Sequence, residues 1–235
     1  MLKVVILCGG RGHRLRPLTS NLPKPLVALN GKPILQHIIE FYTGKGLNRF
    51  ILCTGYRANV INEFFSTHKF NVEIEVSNAG TKAGMLKRLY LARDLIGEKA
   101  VVTYGDTFVN IDVCRMLKEH NRRKAAATIT VADIRSPFGL VQFDRNNKVD
   151  SFEEKPLFQY YIGHMILEKS VLDNLDAGLI SMPDGEGLIK LFQRLIKSKK
   201  LYVYKHAGLQ ITFNTLYERQ KAEEEFTKFF TEQEG

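Results

Sequence analysis

Strand-like and helical segments alternate up to residue 105 of the chain, and this alternation is the feature that most constrains its fold. Short apolar, β-rich runs are separated by segments whose apolar residues recur at helical spacing. That order is typical of a mostly parallel sheet covered by helices, so it predicts an α/β fold. The predicted strands of this half are Lys3–Leu7, 50–53, 72–76 and 100–104, and the predicted helices are 33–41, 58–65 and 84–95.

The second half has a different pattern, in which β-like segments follow one another without an intervening helix. They are separated by turn sequences such as residues 144–147. Strands joined by turns predict antiparallel additions to the sheet. A chain of 235 residues with no repeat or linker fits a single domain, 1–235. The β-like segments are 125–131, 140–143 and 161–167, and helical patterns return at 170–175, 188–196 and 215–230.

Composition and cysteine usage are those of an ordinary globular chain, with 44% hydrophobic and 25% charged residues. The apolar run that starts at Val4 ends at Cys8, which is too short for a signal-peptide core or a bilayer span. We therefore expect a cytoplasmic protein with no membrane partner. Cys8, Cys53 and Cys114 lie in apolar stretches without metal-binding spacing, so we expect all three to be reduced core residues.

The net charge of +9 and the pI near 9.4 favour anionic ligands, among which are both nucleic acid and polyphosphates. The basic runs at 122–124 and 197–200 are short and are not interleaved with aromatic residues. Nucleic-acid motifs need longer or more patterned clusters. We therefore expect solvated faces at these runs and no nucleic-acid partner.

A glycine-rich turn follows the first predicted strand directly. Gly9, Gly10 and Gly12 lie where a parallel strand reaches its carboxyl end, which is where open α/β sheets bind their ligands. Glycines also allow a polyphosphate to approach backbone N–H groups closely. A plain turn would explain these glycines equally well.

The residues after this turn favour the phosphate-binding interpretation. Arg14 and Arg16 supply guanidinium donors, and Lys24 is held between two prolines, Pro23 and Pro25. The pattern lacks the GxxxxGK[ST] of a P-loop and the GxGxxG of a dinucleotide site. Both of those site classes are therefore excluded.

The segments LCGGRGHRLRPLT and LPKPLVALNGKPIL together resemble the signature of the sugar-phosphate nucleotidyltransferase family, GGxGTRLxPLT…PKPxxxxxxKPxL. His13 stands where that signature usually has Thr. The likeness continues through residues 78–87, the Gly-Asp at 105–106 and the F-x-E-K-P at 152–156. The Thr-Tyr-Gly-Asp at 103–106, Phe138-Gly139 and the His-Ala-Gly at 206–208 are most similar to glucose-1-phosphate cytidylyltransferases. The family resemblance implies a Rossmann-like, GT-A-like mixed sheet flanked by helices.

This resemblance implies a reaction in which an NTP, with CTP favoured, is joined to a sugar 1-phosphate with release of pyrophosphate and with Mg²⁺ as cofactor. Residues 1–110 would form the nucleotide-binding half and 111–235 the acceptor-binding half. A homo-oligomer is compatible with this interpretation.

The same resemblance implies roles for individual residues in handling the nucleotide. Arg14 would bind the β- and γ-phosphates, and Lys24 would neutralise the α-phosphate under attack. Phosphoryl transfer is catalysed chiefly by such positioning and charge neutralisation. The predicted nucleotide contacts are Leu7, Gly9, Gly10, Arg11, Gly12, Thr81, Gly84, Tyr104 and Gly105.

Asp106 and Asn214 are the metal ligands that the resemblance implies. Asp106 follows an apolar strand, where a turn or a helix cap is the alternative explanation. Asn214 stands where the family usually has Asp, so one negative charge is lost from the site. An amide oxygen can still bind Mg²⁺, and Asn214 could equally cap the last helix.

The acceptor side departs further from the family pattern. By resemblance Lys155 would contact the acceptor phosphate and Glu154 the sugar, although the two could be a plain surface charge cluster. Tyr161 and Gly163 occupy the region where most relatives have Asn-x-Gly. An altered acceptor pocket is therefore expected, and a non-sugar phosphate ester remains an alternative substrate.

Other readings of the chain remain open or are disfavoured. A catalytically weakened, nucleotide-binding regulatory paralogue is a second alternative. A glycosyltransferase would need an Asp-x-Asp motif that residues 106–108 lack. His164 and His206 have no metal-ligand spacing and are expected to pack or bond locally.

Overall fold

The protein alternates strands and helices through its first half, in a computed structural model that describes residues 2–231. The outermost residues of the predicted domain 1–235 lie outside that range. The elements of this half are β1 (Lys3–Leu7), β2 (Ala28–Leu29), β3 (Lys32–Pro33), α1 (Ile34–Gly44), β4 (Arg49–Thr54), α2 (Ala58–Thr67), β5 (Glu73–Asn78), α3 (Met85–Leu91), β6 (Lys99–Tyr104) and β7 (Thr107–Val109).

The second half contributes both long strands and helices. Its elements are α4 (Val113–Arg123), β8 (Ala127–Arg135), β9 (Leu140–Phe143), β10 (Val149–Glu153), β11 (Leu157–Glu168), α5 (Lys169–Asp173), α6 (Ala177–Ile180), α7 (Glu186–Lys197), β12 (Leu201–His206), β13 (Gln210–Thr212) and α8 (Leu216–Thr231).

A seven-stranded sheet forms the centre of the molecule, in the order β12-β8-β11-β6-β1-β4-β5. Strand β1 pairs in parallel with β4 and β6, and β4 pairs in parallel with β5. Val4, Val5 and Ile6 are all fully buried, because helices cover both faces of a parallel sheet. The mostly parallel α/β sheet predicted from the alternation is therefore confirmed.

The predicted antiparallel additions to the sheet are also confirmed, because β11 pairs antiparallel with both of its neighbours. This strand runs antiparallel to both β6 and β8, with a register shift between Tyr161 and Met165. The predicted strand 140–143 does not join the central sheet, because β9 pairs only with β10 in a separate two-stranded hairpin. That hairpin exposes apolar side chains such as Phe143 and Phe152.

Helices cover the two faces of the central sheet, each with an apolar side turned inward. On one face α1 buries Ile34, Leu35 and Ile38 in a core shared with β1 and β4. On the other face α3 and α7 meet, with Leu86 and Leu191 buried in the second core. Burying each such side chain contributes about 1.5–3 kcal/mol.

The helix α4 has no counterpart among the predicted elements. Its sequence is strongly charged, and only a narrow stripe that includes Val113, Met116 and His120 is buried. Asp112 caps it by accepting a hydrogen bond from the N–H of Arg115 at 2.9 Å. Cys114 is exposed on this helix, so the prediction that all three cysteines are core residues is wrong for Cys114, although Cys8 and Cys53 are buried.

His164 and His206 bond locally, as predicted from their spacing. The fully buried His164 on β11 is hydrogen-bonded to the hydroxyl of Tyr42, and a ring nitrogen of His206 bonds to the carbonyl of Leu209 at 3.2 Å. Burial, together with the nearby His206, lowers the pKa of His164 to about 3. The imidazole is therefore neutral in the folded protein.

This neutral histidine predicts a loss of stability in acid. Because its folded pKa lies below the ordinary value of 6.5, the unfolded chain binds the extra proton as the pH falls from 6.5 toward about 3. We expect the free energy of unfolding to fall by about 1.4 kcal/mol per pH unit from this group. Urea unfolding of wild type and His164→Gln across this range measures the difference in slope, with His68→Gln, an exposed histidine, as the control. If the free energy of unfolding had the same pH dependence in all three proteins, His164 would not have the lowered pKa described above.

None of the helices within residues 2–231 combines the length and the apolar content needed to cross a membrane.

Candidate active site

A pocket of about 410 Å³ opens at the carboxyl ends of β1 and β6. This is the edge of the sheet at which the sequence placed the glycine-rich turn. Ten of the residues predicted to bind nucleotide or metal line it. The lining residues are Leu7, Cys8, Gly9, Gly10, Arg11, Gly12, His13, Arg14, Leu15, Lys24, Pro25, Met85, Arg88, Tyr104, Asp106, Asp184 and Asn214.

Two carbonyl groups of the glycine-rich turn accept hydrogen bonds that hold the turn in place at the end of the sheet. The carbonyl of Gly9 accepts from the N–H of Tyr56 at 3.1 Å, and the hydroxyl of Thr19 donates to the carbonyl of Gly12 at 2.8 Å. Gly12 has a φ of 60°, and a Cβ there would lie 3.1 Å from the Cβ of Lys24. Both the left-handed conformation and the close packing therefore favour glycine at this position.

A buried arginine, Arg88 on α3, supports this turn through hydrogen bonds to backbone carbonyls. Its guanidinium donates to the carbonyl of Thr54 at 2.5 Å and to that of Gly9 at 3.1 Å. A side chain at Gly9 or Gly55 would overlap the guanidinium. Burial lowers the pKa of Arg88, and the nearby Asp184 carboxylate partly opposes that shift. The guanidinium of Arg88 thus connects α3, the end of β4 and the glycine-rich turn.

Arg88 is not among the site residues predicted from the sequence, although the sequence carries a signal for it. It lies between Leu86 and Leu89 on the helix, and both leucines are buried. A charged residue amid the apolar face of a helix needs a partner, because an unpaired buried charge is costly.

We expect Arg88→Lys to lower the free energy of unfolding by about 1–3 kcal/mol, because one ammonium cannot replace both hydrogen bonds of the guanidinium. Urea unfolding measures this change. The exposed Arg145→Lys is the matched control, for which we expect no measurable effect. If Arg88→Lys were as stable as that control, Arg88 would not be the support described above.

Lys24 lies at the base of the pocket between the two predicted metal ligands. Its ammonium nitrogen is 2.8 Å from Oδ2 of Asp106 and donates to Oδ1 of Asn214 at 3.2 Å. The Lys24 side chain is only 7% exposed, and it also lies over the ring of Phe213 at 5.6 Å. Asp106 and Asn214, which are distant in the sequence, therefore both contact the ammonium group of Lys24.

The oxygen atoms of Asp106 and Asn214 fit a magnesium site, since both already converge on a single cation. Mg²⁺ is commonly held by one or two carboxylates, with substrate phosphates and water completing its coordination. Within residues 2–231 no group of three His, Cys, Asp or Glu side chains is arranged to hold a metal ion. Nucleotide phosphates would therefore have to supply further ligands.

Asn214 is not the cap of the last helix, so that alternative is wrong. Thr215 caps α8 instead, since its hydroxyl accepts from the N–H of Glu218 at 3.1 Å. The Glu218 carboxylate in turn accepts from the N–H of Asn214 at 2.6 Å. The two hydrogen bonds fix the start of α8 through the side chains of Thr215 and Glu218, and the amide side chain of Asn214 is left directed to Lys24.

Three predicted nucleotide contacts are absent from the lining of the pocket. Thr81 is exposed on the loop before α3. Gly84 packs instead against the backbone of Asp184, where a Cβ would come within 3.0 Å of its Cα. Gly105 packs against Cys8, whose sulfur would lie 2.8 Å from an added Cβ. The two glycines therefore serve close packing beside the pocket.

Asp184 is a lining residue that the sequence did not suggest. A Pro-Asp-Gly sequence just before α7 indicates a turn or a cap for that helix. The Asp184 carboxylate instead accepts from the N–H of Met85 at 2.9 Å, at the first residue of α3. A segment from the second half of the chain thus forms one wall of the pocket.

The predicted acceptor residues lie outside the pocket lining. Glu154 and Lys155 are exposed at the end of the β9–β10 hairpin, and their charged groups are 3.9 Å apart. Tyr161 packs edge-on against Tyr104, with ring centres 6.1 Å apart. The backbone of Gly163, at φ 73°, leaves room for the Tyr104 ring where a side chain would otherwise stand. Tyr161 and Gly163 therefore lie behind Tyr104 and support it.

Comparison with known proteins finds relatives that align with most of this chain. A probable glucose-1-phosphate cytidylyltransferase of Bacillus subtilis is 32% identical, over 91% of this chain and 92% of its own length. The glucose-1-phosphate cytidylyltransferase of Salmonella typhimurium is 30% identical, over 93% of each chain. Other relatives are named as uridylyl- or guanylyltransferases of sugar phosphates.

The fold recurs in a solved structure, HddC from Yersinia pseudotuberculosis. The two align with a TM-score of 0.73 at 23% identity, over 96% of this chain and 100% of that one. The family model for nucleotidyl transferases matches residues 3–232 of the chain. This chain therefore belongs to the nucleotidyl transferase family.

Proposed function

We propose that this protein couples an NTP, preferably CTP, to a sugar 1-phosphate in a Mg²⁺-dependent reaction that yields an NDP-sugar and pyrophosphate. The observation that carries the proposal is the buried Lys24 between Asp106 and Asn214, directly beneath the glycine-rich turn. The two cytidylyltransferase relatives support the choice of sugar phosphate and base. A cytoplasmic location and a homo-oligomeric state stay predictions from the sequence.

The glycine-rich turn would bind the NTP phosphates. Gly10 and Gly12 leave the backbone open to a close approach by phosphate oxygens. Arg11 and Arg14 have exposed side chains at the mouth of the pocket, where they can pair with the β- and γ-phosphates. These cations would also stabilise the pyrophosphate as it leaves.

Lys24 would neutralise the α-phosphate, because it is the most deeply buried cation in the pocket lining apart from Arg88. Asp106 and Asn214 would hold Mg²⁺ together with phosphate oxygens, and the bound ion would supply further charge neutralisation. In a water-excluded pocket such fixed charges stabilise a transition state strongly.

The acceptor would attack with one oxygen of its own phosphate. That oxygen forms a bond to the α-phosphorus of the NTP, while the bond from the α-phosphorus to the bridging oxygen breaks. Pyrophosphate leaves with that electron pair. The acceptor phosphate is already ionised at neutral pH, so this step needs charge neutralisation and alignment more than a general base.

The identity of the acceptor is the less constrained part of the proposal. Glu154 and Lys155 remain proposed contacts of the acceptor, whereas Tyr161 and Gly163 would influence the acceptor by positioning Tyr104. Tyr104 and Asp184 face the pocket and can offer hydroxyl and carboxylate groups to a sugar. This altered set of groups also keeps a non-sugar phosphate ester as an alternative acceptor.

The proposal is tested by measuring pyrophosphate release with Mg²⁺ across CTP, UTP, GTP, dTTP and ATP, each with a panel of sugar 1-phosphates. We expect the fastest release with CTP and a hexose 1-phosphate, and no release when the acceptor is omitted. Absence of pyrophosphate from every pair would refute the proposal. Faster release with another base would refute only the preference for CTP.

A second candidate, a regulatory paralogue with weakened catalysis, is motivated by the amide of Asn214 where a carboxylate is usual. The substitution Asn214→Asp separates the two. We expect this variant to lower an existing kcat by about tenfold, because a second carboxylate beside Asp106 competes for Lys24 and alters its position. Steady-state kinetics with Mg²⁺ titration measures it. Turnover that appears only in Asn214→Asp would favour the regulatory paralogue.

A further inference from the structure

The positive charge of the protein is concentrated in two segments. Residues 113–126 and 190–205 contain eleven of the 34 Lys and Arg residues but only one of the 25 acidic residues, Glu119. The rest of the chain therefore holds 23 basic and 24 acidic residues. The net charge of +9 comes entirely from these two segments.

The fold brings the two segments together. The N–H groups of Ala126 and Ala127 both donate to the carbonyl of Lys200, at 3.0 and 3.3 Å. The guanidinium of Arg123 lies 5.3 Å from the centre of the Tyr202 ring. Six exposed cations thus form one surface, called here the basic edge, which consists of Arg122, Arg123, Lys124, Lys197, Lys199 and Lys200.

Acidic residues do little to neutralise the basic edge. Glu119 pairs with Arg122 at 2.7 Å and with Arg123 at 3.4 Å, and such exposed pairs are weak. Glu168 is held by Lys99 and His120. Across residues 2–231, none of the four lysines of the basic edge has an acidic group within 4.0 Å.

The basic edge lies at the end of the sheet opposite to the nucleotide pocket. Strands β8 and β12 run parallel to β1, since β8 is antiparallel to β11 and β11 is antiparallel to β6. The basic residues come just before β8 and β12, at their amino ends. The pocket lies at the carboxyl ends of β1 and β6. An object bound at the basic edge would therefore leave the pocket open.

Aliphatic side chains are exposed beside these cations. Ile196 on α7 is 61% exposed, and Val203 on the edge strand β12 is 45% exposed. Ile189 is 56% exposed two turns earlier on the same side of α7. Cations with interspersed exposed aliphatic groups match the charged and apolar layers of a lipid surface.

The sequence alone predicts plain solvated faces at these basic runs and no membrane partner, but the fold joins the runs into one surface. We propose that the basic edge binds the surface of an anionic membrane, with the nucleotide pocket facing away from it. A nucleic acid fits less well, because the exposed apolar groups here are aliphatic and cannot stack on bases as aromatic rings do. A second copy of the chain would bring like charges together. The proposal is independent of the proposed reaction.

The first test is co-sedimentation of the full chain with vesicles of phosphatidylglycerol and phosphatidylcholine in equal parts, and with vesicles of phosphatidylcholine alone. We expect binding only to the anionic vesicles. We also expect its loss when NaCl rises from about 0.1 M to about 1 M, which shortens the Debye length from about 10 Å to about 3 Å. No binding to anionic vesicles, or equal binding to both kinds, would overturn the proposal.

The second test compares the loss of three positive charges from the basic edge with the loss of three positive charges from other parts of the surface. The triple variant Arg122→Gln, Lys197→Gln, Lys200→Gln should bind anionic vesicles about 100-fold more weakly. The control variant Lys69→Gln, Arg145→Gln, Lys148→Gln loses three exposed charges elsewhere and should bind like wild type. Pyrophosphate release or nucleotide-induced thermal shift checks that both remain folded. Equal loss of binding in both variants would overturn the proposal.

A third measurement distinguishes the lipid from a nucleic acid. Ile196→Gln keeps every charge, and we expect it to weaken vesicle binding because it removes an aliphatic contact. A short duplex DNA should not displace the protein from vesicles at comparable charge concentration. Displacement by DNA together with an unchanged Ile196→Gln variant would identify a nucleic-acid surface instead.

Discussion

Asp106→Asn is expected to lower kcat by about 10²- to 10³-fold, the size of effect found when one preorganised electrostatic group is removed from an active site. The amide keeps the shape of the carboxylate but loses its charge. The variant therefore loses both the charged ligand proposed for Mg²⁺ and the ion pair that Lys24 makes at 2.8 Å. Steady-state kinetics at several Mg²⁺ concentrations measures the effect, and we expect half-maximal activity to need more Mg²⁺.

The matched control for this variant is Asp112→Asn. Asp112 lies only six residues away and caps α4, and Asn caps a helix about as well as Asp. We expect kcat within about twofold of wild type for this control. If Asp106→Asn also kept wild-type kcat and Mg²⁺ dependence, Asp106 would have no role in metal binding.

Lys24→Met is expected to lower kcat/KM for the NTP by about 10²- to 10³-fold. Methionine fills the space of the lysine stem but removes the charge proposed to neutralise the α-phosphate. Because Asp106 is 32% exposed, water can solvate the carboxylate that loses its partner, so we expect only a modest loss of stability. Kinetic assays and urea unfolding on the same preparation separate the two effects.

Lys32→Met provides the control for the lysine. Lys32 pairs with Glu40 at 3.1 Å, but both side chains are about half exposed, so this ion pair contributes little. We expect wild-type kinetics from this variant. A fall in stability of Lys24→Met with unchanged kcat/KM would show that Lys24 is a structural residue and would remove the central observation behind the proposed function.

The sequence predicted the parts of this protein in which local signals agree with the fold. The strands around Val4 and Val101 are continuous apolar runs, and such runs form buried parallel strands. Helix α1 follows Pro33 and buries Ile34 and Leu35, as its periodicity indicated. In each case the residue propensities, the apolar pattern and the observed burial favour the same structure. The local sequence is therefore sufficient to predict these elements.

The remaining features depend on contacts between distant residues. The helix α4 was missed because its charged faces hide a narrow apolar stripe. Asp184 caps α3 from a distance of 99 residues in the sequence, although its local sequence suggests a role at α7. The apolar neighbours of Cys114 predict a core position, but they do not reveal that Cys114 lies on the exposed side of α4. Contacts between residues that are distant in the sequence leave no such local pattern.

The same difference between local signals and long-range contacts applies to the candidate active site. The family resemblance assigned Gly9, Lys24 and Asp106 to one site, and the structure brings all three to one pocket at the carboxyl ends of β1 and β6, which is where open α/β sheets bind ligands. The support given by Arg88 was not anticipated, since its partners are backbone carbonyls of two other segments. The acceptor residues were placed by resemblance alone, and Glu154 and Lys155 lie on a hairpin outside the central sheet.

The origin of the bridging oxygen in the product tests the proposed reaction most directly. A sugar 1-phosphate labelled with ¹⁸O at its non-bridging phosphate oxygens is incubated with CTP, Mg²⁺ and the protein, and both products are examined by mass spectrometry and ³¹P NMR. Attack by the acceptor phosphate on the α-phosphorus predicts ¹⁸O between the two phosphorus atoms of the NDP-sugar and none in the pyrophosphate. Labelled pyrophosphate, or release of inorganic phosphate without a nucleotide-sugar product, would contradict it.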